Sequence, residues 1–145
     1  MNAIFLGNIR HVVDEKNRLA IPAKWRAAVK DAEEFGVFPW PNGCLIVFPP
    51  AVLQKFFERM EQVSIGDFES NDTLRRLTSQ AESIPCDKQG RITLSEGLRR
   101  HAGIEKEALM VGVLNRFEIW SPARFDASTP MTTNEMMDAM KKLNF

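Results

Sequence analysis

The chain has 145 residues, of which 44% are hydrophobic and 26% are charged, and its 19 basic residues balance 19 acidic ones. This composition is ordinary for a globular protein, so wholesale disorder is excluded, and no apolar run reaches the roughly 18 residues of a membrane span. The start of the chain does not resemble a signal peptide, and the two cysteines form no CxxC motif, so we expect a cytoplasmic protein without disulfides.

The chain repeats itself at an offset of 73 residues. The stretch 14–22 aligns with 87–95, and in both an aspartate is followed four positions later by an arginine. A later apolar strand repeats at an offset of 72. We therefore predict two units of one design, with the boundaries 5–60 for the first unit, 61–82 for a helical linker, 83–125 for the second unit and 126–145 for a tail that we expect to be partly disordered.

Each unit opens with a predicted β-hairpin. A short alternating stretch comes first, the Asp-x-x-x-Arg turn follows, and a second alternating stretch comes after it. Asn17 and Gly90 hold the same position in the two turns, and both residue types tolerate a left-handed backbone. A second hairpin is predicted over residues 35–48 in the first unit and 108–120 in the second.

Short helices are predicted between and after these hairpins, which makes each unit α+β. One helix begins at Pro22 in the first unit, and its counterpart is capped by Ser95 and ended by Gly103. Pro50 and Pro122 mark the start of another pair. Apolar residues at helical spacing predict further helices after Pro50, in the linker and in the tail.

The sequence contains no catalytic motif and no spacing typical of metal ligands, so we expect no enzyme activity, no metal and no cofactor. His11 and His101 are interpreted as structural or surface residues. Cys44 and Cys86 are expected to pack as small hydrophobic side chains.

Positive charge is concentrated around the two Asp-x-x-x-Arg segments. Residues 1–30 carry a net charge of +4 and residues 86–104 carry +2, whereas 31–85 carry −5 and 105–145 carry −1. Basic hairpins suit contacts to DNA phosphates, and a two-stranded ribbon can enter the major groove, where arginine reads guanine. A solvated surface hairpin is the alternative, but duplication of the motif favours binding because several weak contacts can act together.

The aspartates of the two motifs are expected to have a structural role, because a carboxylate repels phosphate. Asp14 and Asp87 are predicted to accept hydrogen bonds from turn amides or to orient the arginine. Together with Asn17 and Gly90 they form the predicted structural residues of the turns.

The sequence resembles the MraZ family, whose members contain two tandem SpoVT/AbrB-like units. The resemblance covers roughly residues 4–125 and is specific because the Asp-x-x-x-Arg motif occurs twice. Asn17 departs from the glycine that is usual in the family. The matching stretches are Phe5-Leu6-Gly7, Asp14-x-Lys16-x-Arg18, Ile21-Pro22-Ala23-Lys24-Trp25-Arg26, Asp87-Lys88-Gln89-Gly90-Arg91-Ile92, His101-Ala102-Gly103-Ile104 and 111–120.

This resemblance implies a swapped-hairpin AbrB-like arrangement and a sequence-specific DNA-binding transcriptional regulator. It also implies a ring-shaped homo-oligomer that is located in the cytoplasm and at the nucleoid. The oligomer is expected to bind double-stranded DNA with short direct repeats and to repress division and cell wall genes. An oligomeric protein-binding module, antitoxin-like or a scaffold, is the alternative. DNA contacts of the family lie on the Asp-x-x-x-Arg hairpins, which gives Arg18 and Arg91 as principal candidates, Lys16 and Lys88 as phosphate contacts, and Arg10, Lys24 and Arg26 as weaker candidates.

Overall fold

The computed structural model describes residues 4–28, 34–128 and 130–144, and within them the chain forms eight strands and six helices. The strands are β1 (Asn8–Val12), β2 (Arg18–Ala20), β3 (Glu34–Pro39), β4 (Leu45–Phe48), β5 (Glu82–Pro85), β6 (Arg91–Thr93), β7 (Glu107–Val113) and β8 (Arg116–Trp120). The helices are α1 (Ala23–Ala28), α2 (Pro50–Met60), α3 (Phe68–Thr78), α4 (Glu96–Ala102), α5 (Pro122–Ala127) and α6 (Thr133–Lys142). None of the helices in these ranges is long and apolar enough to span a bilayer.

Six strands form one antiparallel sheet in the order β1-β7-β8-β4-β3-β5. The second hairpin of each unit is confirmed, because β3 pairs with β4 and β7 pairs with β8. The two units meet at the centre of this sheet, where β4 pairs with β8. Strands and helices are both present in each unit, and the fold is α+β as predicted.

The first hairpin of each unit does not form within that unit, so this prediction from alternation is wrong. β1 pairs with β7 and β5 pairs with β3, so the first strand of each unit joins the sheet beside the second hairpin of the other. The short strands β2 and β6 pair with each other. Alternation shows which face of a strand is buried but not which strand lies beside it. The observed exchange agrees with the swapped arrangement that the family resemblance implies.

The main sheet is buried on both faces. Leu45 and Val47 of the central strand β4 pack on one side, in a cluster that includes residues of α1, α4 and the two short strands. Ile46 and Phe48 pack on the opposite side, against α2 and α5. The molecule is therefore layered, and the pair β2–β6 lies on one side of the sheet.

The short strands β2 (Arg18–Ala20) and β6 (Arg91–Thr93) pair with each other, and we call this two-stranded unit the ribbon. Leu19 lies opposite Ile92, and both side chains are fully buried in the core. Burial of each contributes about 1.5–3 kcal/mol. Because side chains alternate along a strand, the residues on either side of Leu19 and Ile92 face away from the core.

The turn and capping residues adopt the conformations that their types favour. Asn17 has a φ of 63° and Gly90 a φ of 79°, both in the left-handed region. The Oγ of Ser95 accepts a hydrogen bond from the Leu98 amide at 3.3 Å, and Gly103 ends α4 with a φ of 67°.

The helices predicted outside the hairpins are present. α2 and α5 begin at their prolines, and α3 lies in the linker with Asp67 as its cap, which accepts from the Ser70 amide at 3.1 Å. The tail, for which partial disorder is expected from its polar start, contains α6. Thr129 and Phe145 lie outside the described residues.

Gly112 provides a test of the exchanged sheet. A Cβ at this position would overlap the Phe5 carbonyl carbon and would lie 2.6 Å from the Leu6 nitrogen. Both are backbone atoms, which cannot move aside as a flexible side chain does. We expect Gly112→Ala to lower the free energy of unfolding by about 1–3 kcal/mol in a urea titration. Gly97→Ala in α4, where a Cβ meets nothing within 4 Å, is the control and should raise stability by about 0.5 kcal/mol. Equal stability of the two variants at one protein concentration would contradict this packing.

Candidate nucleic-acid interface

Residues 14–18 form the first Asp-Arg turn, which is held by its own aspartate. The Oδ1 atom of Asp14 accepts from the backbone amides of Lys16 at 2.9 Å and Arg18 at 2.8 Å. Its Oδ2 accepts from Nε of the Arg18 guanidinium at 2.7 Å. Such charge-assisted bonds fix the direction of the arginine and leave its Nη groups as donors for another partner.

Residues 87–91 form the second Asp-Arg turn, and it repeats this geometry almost atom for atom. Asp87 Oδ1 accepts from the amides of Gln89 at 2.9 Å and Arg91 at 2.8 Å, and its Oδ2 accepts from Arg91 Nε at 2.8 Å. The two turns are therefore the same local structure built from different sequences, and the aspartate both closes the turn and orients the arginine.

These hydrogen bonds lower the pKa of both aspartates. The backbone amide of Arg18 is the largest cause for Asp14, and the guanidinium of Arg18 and the Lys16 amide add to it. The pKa of Asp87 is lowered in the same way, with the Arg91 amide as the largest cause. Both carboxylates are therefore ionised at neutral pH, and each offsets one positive charge of its turn.

The ribbon brings the two oriented arginines onto one face. Arg18 and Arg91 each lie next to a core residue in sequence, so they project from the outward side of the ribbon. Arg91 Nη1 lies 4.0 Å from Asp14 Oδ2, so the two Asp-Arg turns are neighbours. The arginine side chains are only 28% and 27% exposed, which means that they lie along the surface instead of extending into solvent.

Lys16 and Lys88 lie at the tips of the two turns and are exposed. Thr93 is also exposed and lies opposite Arg18 in the ribbon, although no motif singles it out. Its only signal in the sequence is its position two residues after Arg91, which places both on the same face of a strand.

Two of the weaker candidates, Arg26 and Lys24, lie on α1. Arg26 on α1 donates from Nη1 to the Gln89 carbonyl at 2.8 Å, so it reaches the second Asp-Arg turn. Lys24 is exposed on the same helix, beside Gly7.

Arg10 lies on β1 in the main sheet and not on the ribbon. Its guanidinium is 3.8 Å from Glu107 and 4.0 Å from Asp126, and both carboxylates are exposed with it. These acidic neighbours offset its charge. The structure therefore groups Arg18, Arg91, Lys16 and Lys88, adds Arg26 at one edge, and separates Arg10 from them.

Two of the four histidine and cysteine side chains, those of His101 and Cys44, have hydrogen-bond partners within the fold. His101 Nε2 lies 2.8 Å from the Trp40 carbonyl oxygen. Burial raises the pKa of the Cys44 thiol to about 12, so it is not an activated nucleophile. Across the ranges that the structure describes, no three histidine, cysteine or carboxylate side chains are grouped as metal ligands.

The lowered pKa values predict how the turns respond to acid. A carboxylate whose folded pKa is depressed stabilises the fold fully above its ordinary pKa of 3.8, and this stabilisation is lost as the pH falls through the lower folded value. In a carboxyl NMR titration we expect midpoints below 3.8 for Asp14 and Asp87. Arg18→Ala should raise the Asp14 midpoint only partly, because the Arg18 amide remains.

Asp67 serves as the internal control for this titration. Its pKa is lowered chiefly by the Ser70 amide, which Arg18→Ala does not touch, so its midpoint should stay unchanged. A midpoint for Asp14 that does not move in this variant would contradict the observed pairing with the Arg18 side chain.

Comparisons with known proteins agree with this duplicated structure. The sequence profile of the family described as "MraZ protein, putative antitoxin-like" matches the chain twice, over residues 4–76 and 77–142. The chain is 37% identical to a protein named Transcriptional regulator MraZ from Thermomicrobium roseum, over 91% of this chain and 92% of that one. A protein of the same name from Lachnoclostridium phytofermentans is 34% identical over 96% of both chains.

A third protein with this name, from Ligilactobacillus salivarius, is 36% identical over 86% of this chain and 85% of its own. These relatives are named as regulators and not as enzymes, which agrees with the prediction that the chain has no enzyme activity. A family profile that covers nearly the whole chain, together with relatives of more than 30% identity over most of their length, establishes the assignment. The chain belongs to the MraZ family of transcriptional regulators.

Proposed function

We propose that the chain is a sequence-specific DNA-binding regulator that reads double-stranded DNA with the ribbon. The observation that carries this proposal is the pair Arg18 and Arg91, each oriented by an aspartate and both on the outward face of the ribbon. The major groove, about 12 Å wide, admits a two-stranded ribbon of this kind.

The aspartates make these arginines suited to base recognition. A guanidinium held at Nε keeps its two Nη groups for a bidentate contact to the O6 and N7 atoms of guanine. Because Asp14 and Asp87 already restrict the arginine side chains, binding loses less conformational entropy. Lys16 and Lys88 at the turn tips then contact phosphates, which fixes the register of the protein on the duplex without reading sequence.

A single chain carries few such contacts and no net charge, so strong binding requires several copies. We therefore propose a ring-shaped homo-oligomer that binds short direct repeats. Exposed apolar side chains support contacts between copies: Ile65 is 88% exposed, Phe68 83% and Met137 57%. Repression of division and cell wall genes, and location in the cytoplasm and at the nucleoid, are proposed on the family resemblance.

The role of the arginines is tested with DNA that carries tandem repeats from the region upstream of the gene. We expect Arg18→Ala and Arg91→Ala each to weaken specific binding by about 1–3 kcal/mol, or roughly 5- to 150-fold, because each removes a bidentate base contact. Arg76→Ala on α3, where the arginine is exposed and paired with Asp72 at 3.0 Å, is the control and should leave affinity unchanged. Arg18→Lys should keep non-specific binding but lose sequence discrimination. Unchanged affinity in both alanine variants would refute this site.

The need for several copies is tested by changing the DNA instead of the protein. Binding to two repeats should exceed binding to one by about 10²- to 10⁴-fold, and moving one repeat by half a helical turn should remove most of this gain. Equal affinities for one and two repeats would contradict binding by an oligomer. Native mass spectrometry of the free protein, which should give one defined homo-oligomer, provides the independent measurement.

A further inference from the structure

The second Asp-Arg turn is held by a side chain from the first unit. Arg26 Nη1 donates to the Gln89 carbonyl at 2.8 Å, although the two residues are 63 positions apart in sequence. The Arg26 side chain also lies directly over Gly90. A Cβ at position 90 would overlap Cδ and Nη1 of Arg26 and would lie 2.6 Å from its Nε. Gly90 is therefore buried, and it is needed for this approach as well as for its positive φ.

The next carbonyl of this turn is held by the first unit too. The Ile21 amide donates to the Gly90 carbonyl at 2.8 Å. Two consecutive carbonyls, of Gln89 and Gly90, thus accept hydrogen bonds from the first unit, and Arg91 is the residue that follows them. The position of Arg91 is set by Asp87 within its own turn and by α1 of the other unit.

The first Asp-Arg turn is not held in the same way. The Leu94 amide donates to the Asn17 carbonyl at 2.9 Å, which is the counterpart of the bond from Ile21. Arg99, however, which occupies the position of Arg26 in the repeat, donates from Nε to the Leu94 carbonyl at 3.1 Å in its own unit. Asn17 stands where the second turn has glycine. The two turns therefore match in their aspartate bonds but differ in what packs on them.

We propose that Arg26 is a positioning residue for Arg91 and not a contact to DNA phosphate. It holds the Gln89–Gly90 backbone so that the second Asp-Arg turn is rigid before DNA arrives, and the first unit thereby controls base recognition by the second. This inference rests on the proposed function for its consequence in DNA binding, but its structural part is measurable in the free protein.

The structural part is tested by amide hydrogen exchange without DNA. Arg26→Ala removes one hydrogen bond, so exchange at the Gly90 and Arg91 amides should accelerate by about 2- to 12-fold, while the Asn17 amide in the first turn stays unchanged. Lys24→Ala removes the same charge from the same helix and should change neither turn. If Arg26→Ala leaves exchange at Gly90 and Arg91 unchanged, the inference is wrong whether or not the protein binds DNA.

The consequence for binding is tested by a double-mutant cycle on tandem-repeat DNA. Arg26→Ala should weaken specific binding by about 2- to 12-fold. If it acts through Arg91, this loss disappears in the Arg91→Ala background and persists in the Arg18→Ala background. Losses of affinity that simply add in both backgrounds would overturn the inference. A wild-type protein that binds no DNA would overturn the proposed function, and the hydrogen-exchange result would then decide whether Arg26 positions the second Asp-Arg turn.

A salt series separates positioning from phosphate contact. Removal of one phosphate contact reduces the slope of log affinity against log salt by about 0.9, and Lys88→Ala is expected to do so. Arg26→Ala should leave the slope unchanged. Arg26→Lys keeps the charge but not the planar group that packs on Gly90, so it should bind like Arg26→Ala. A slope reduced by Arg26→Ala, or affinity restored by Arg26→Lys, would identify Arg26 as a phosphate contact instead.

Discussion

The pairing of β2 with β6 is the constraint on which the rest of the structure depends. Among the strands that the structure describes, neither β2 nor β6 pairs with a strand of its own unit. The pair is stabilised by the burial of Leu19 against Ile92. Because these two side chains point into the core, Arg18 and Arg91 point out of it. One face of the ribbon thus packs in the core, and the opposite face is the proposed DNA-binding face. Any change that separates the two units separates β2 from β6 and removes the proposed face as well.

Much of the geometry of the two Asp-Arg turns could be predicted from the repeat. Two aspartates and two arginines at equal spacing indicate two equal turns, and Asn17 with Gly90 indicates a left-handed residue in each, because these residue types reach that conformation at low cost. The partners of the strands could not be predicted from alternation, since the period of two is the same whichever strand lies alongside. The hydrogen bond from Arg26 to the Gln89 carbonyl could not be predicted either, because the two residues lie 63 positions apart. The sequence gives only an indirect indication of it, which is that the second turn has Gly90 where the first has Asn17.

If the proposed function holds, the duplicated turns explain how a chain with no net charge binds DNA. Each aspartate removes one positive charge from its turn, which weakens attraction to phosphate, but it also fixes the arginine that would read a base. The aspartates therefore weaken the attraction of the turns to DNA phosphates, which depends on charge alone. They favour directed hydrogen bonds from the arginines to bases, which depend on geometry. Residues 31–85 carry a net charge of −5, so the zero net charge of the whole chain conceals the positive charge of the two segments that contain the Asp-Arg turns.

The exchange of strands has a consequence for how the chain is made. β1 pairs with β7 and β2 pairs with β6, so the first unit leaves the ribosome with two strands whose partners have not yet been synthesised. The N-terminal half cannot complete its sheet by itself, and pairing over so many residues makes folding slow compared with that of a protein built from local contacts. A translation product that ends before β6 therefore has no ribbon and lacks the proposed DNA-binding face. One that ends before β8 lacks the strand that joins β7 to β4 in the main sheet.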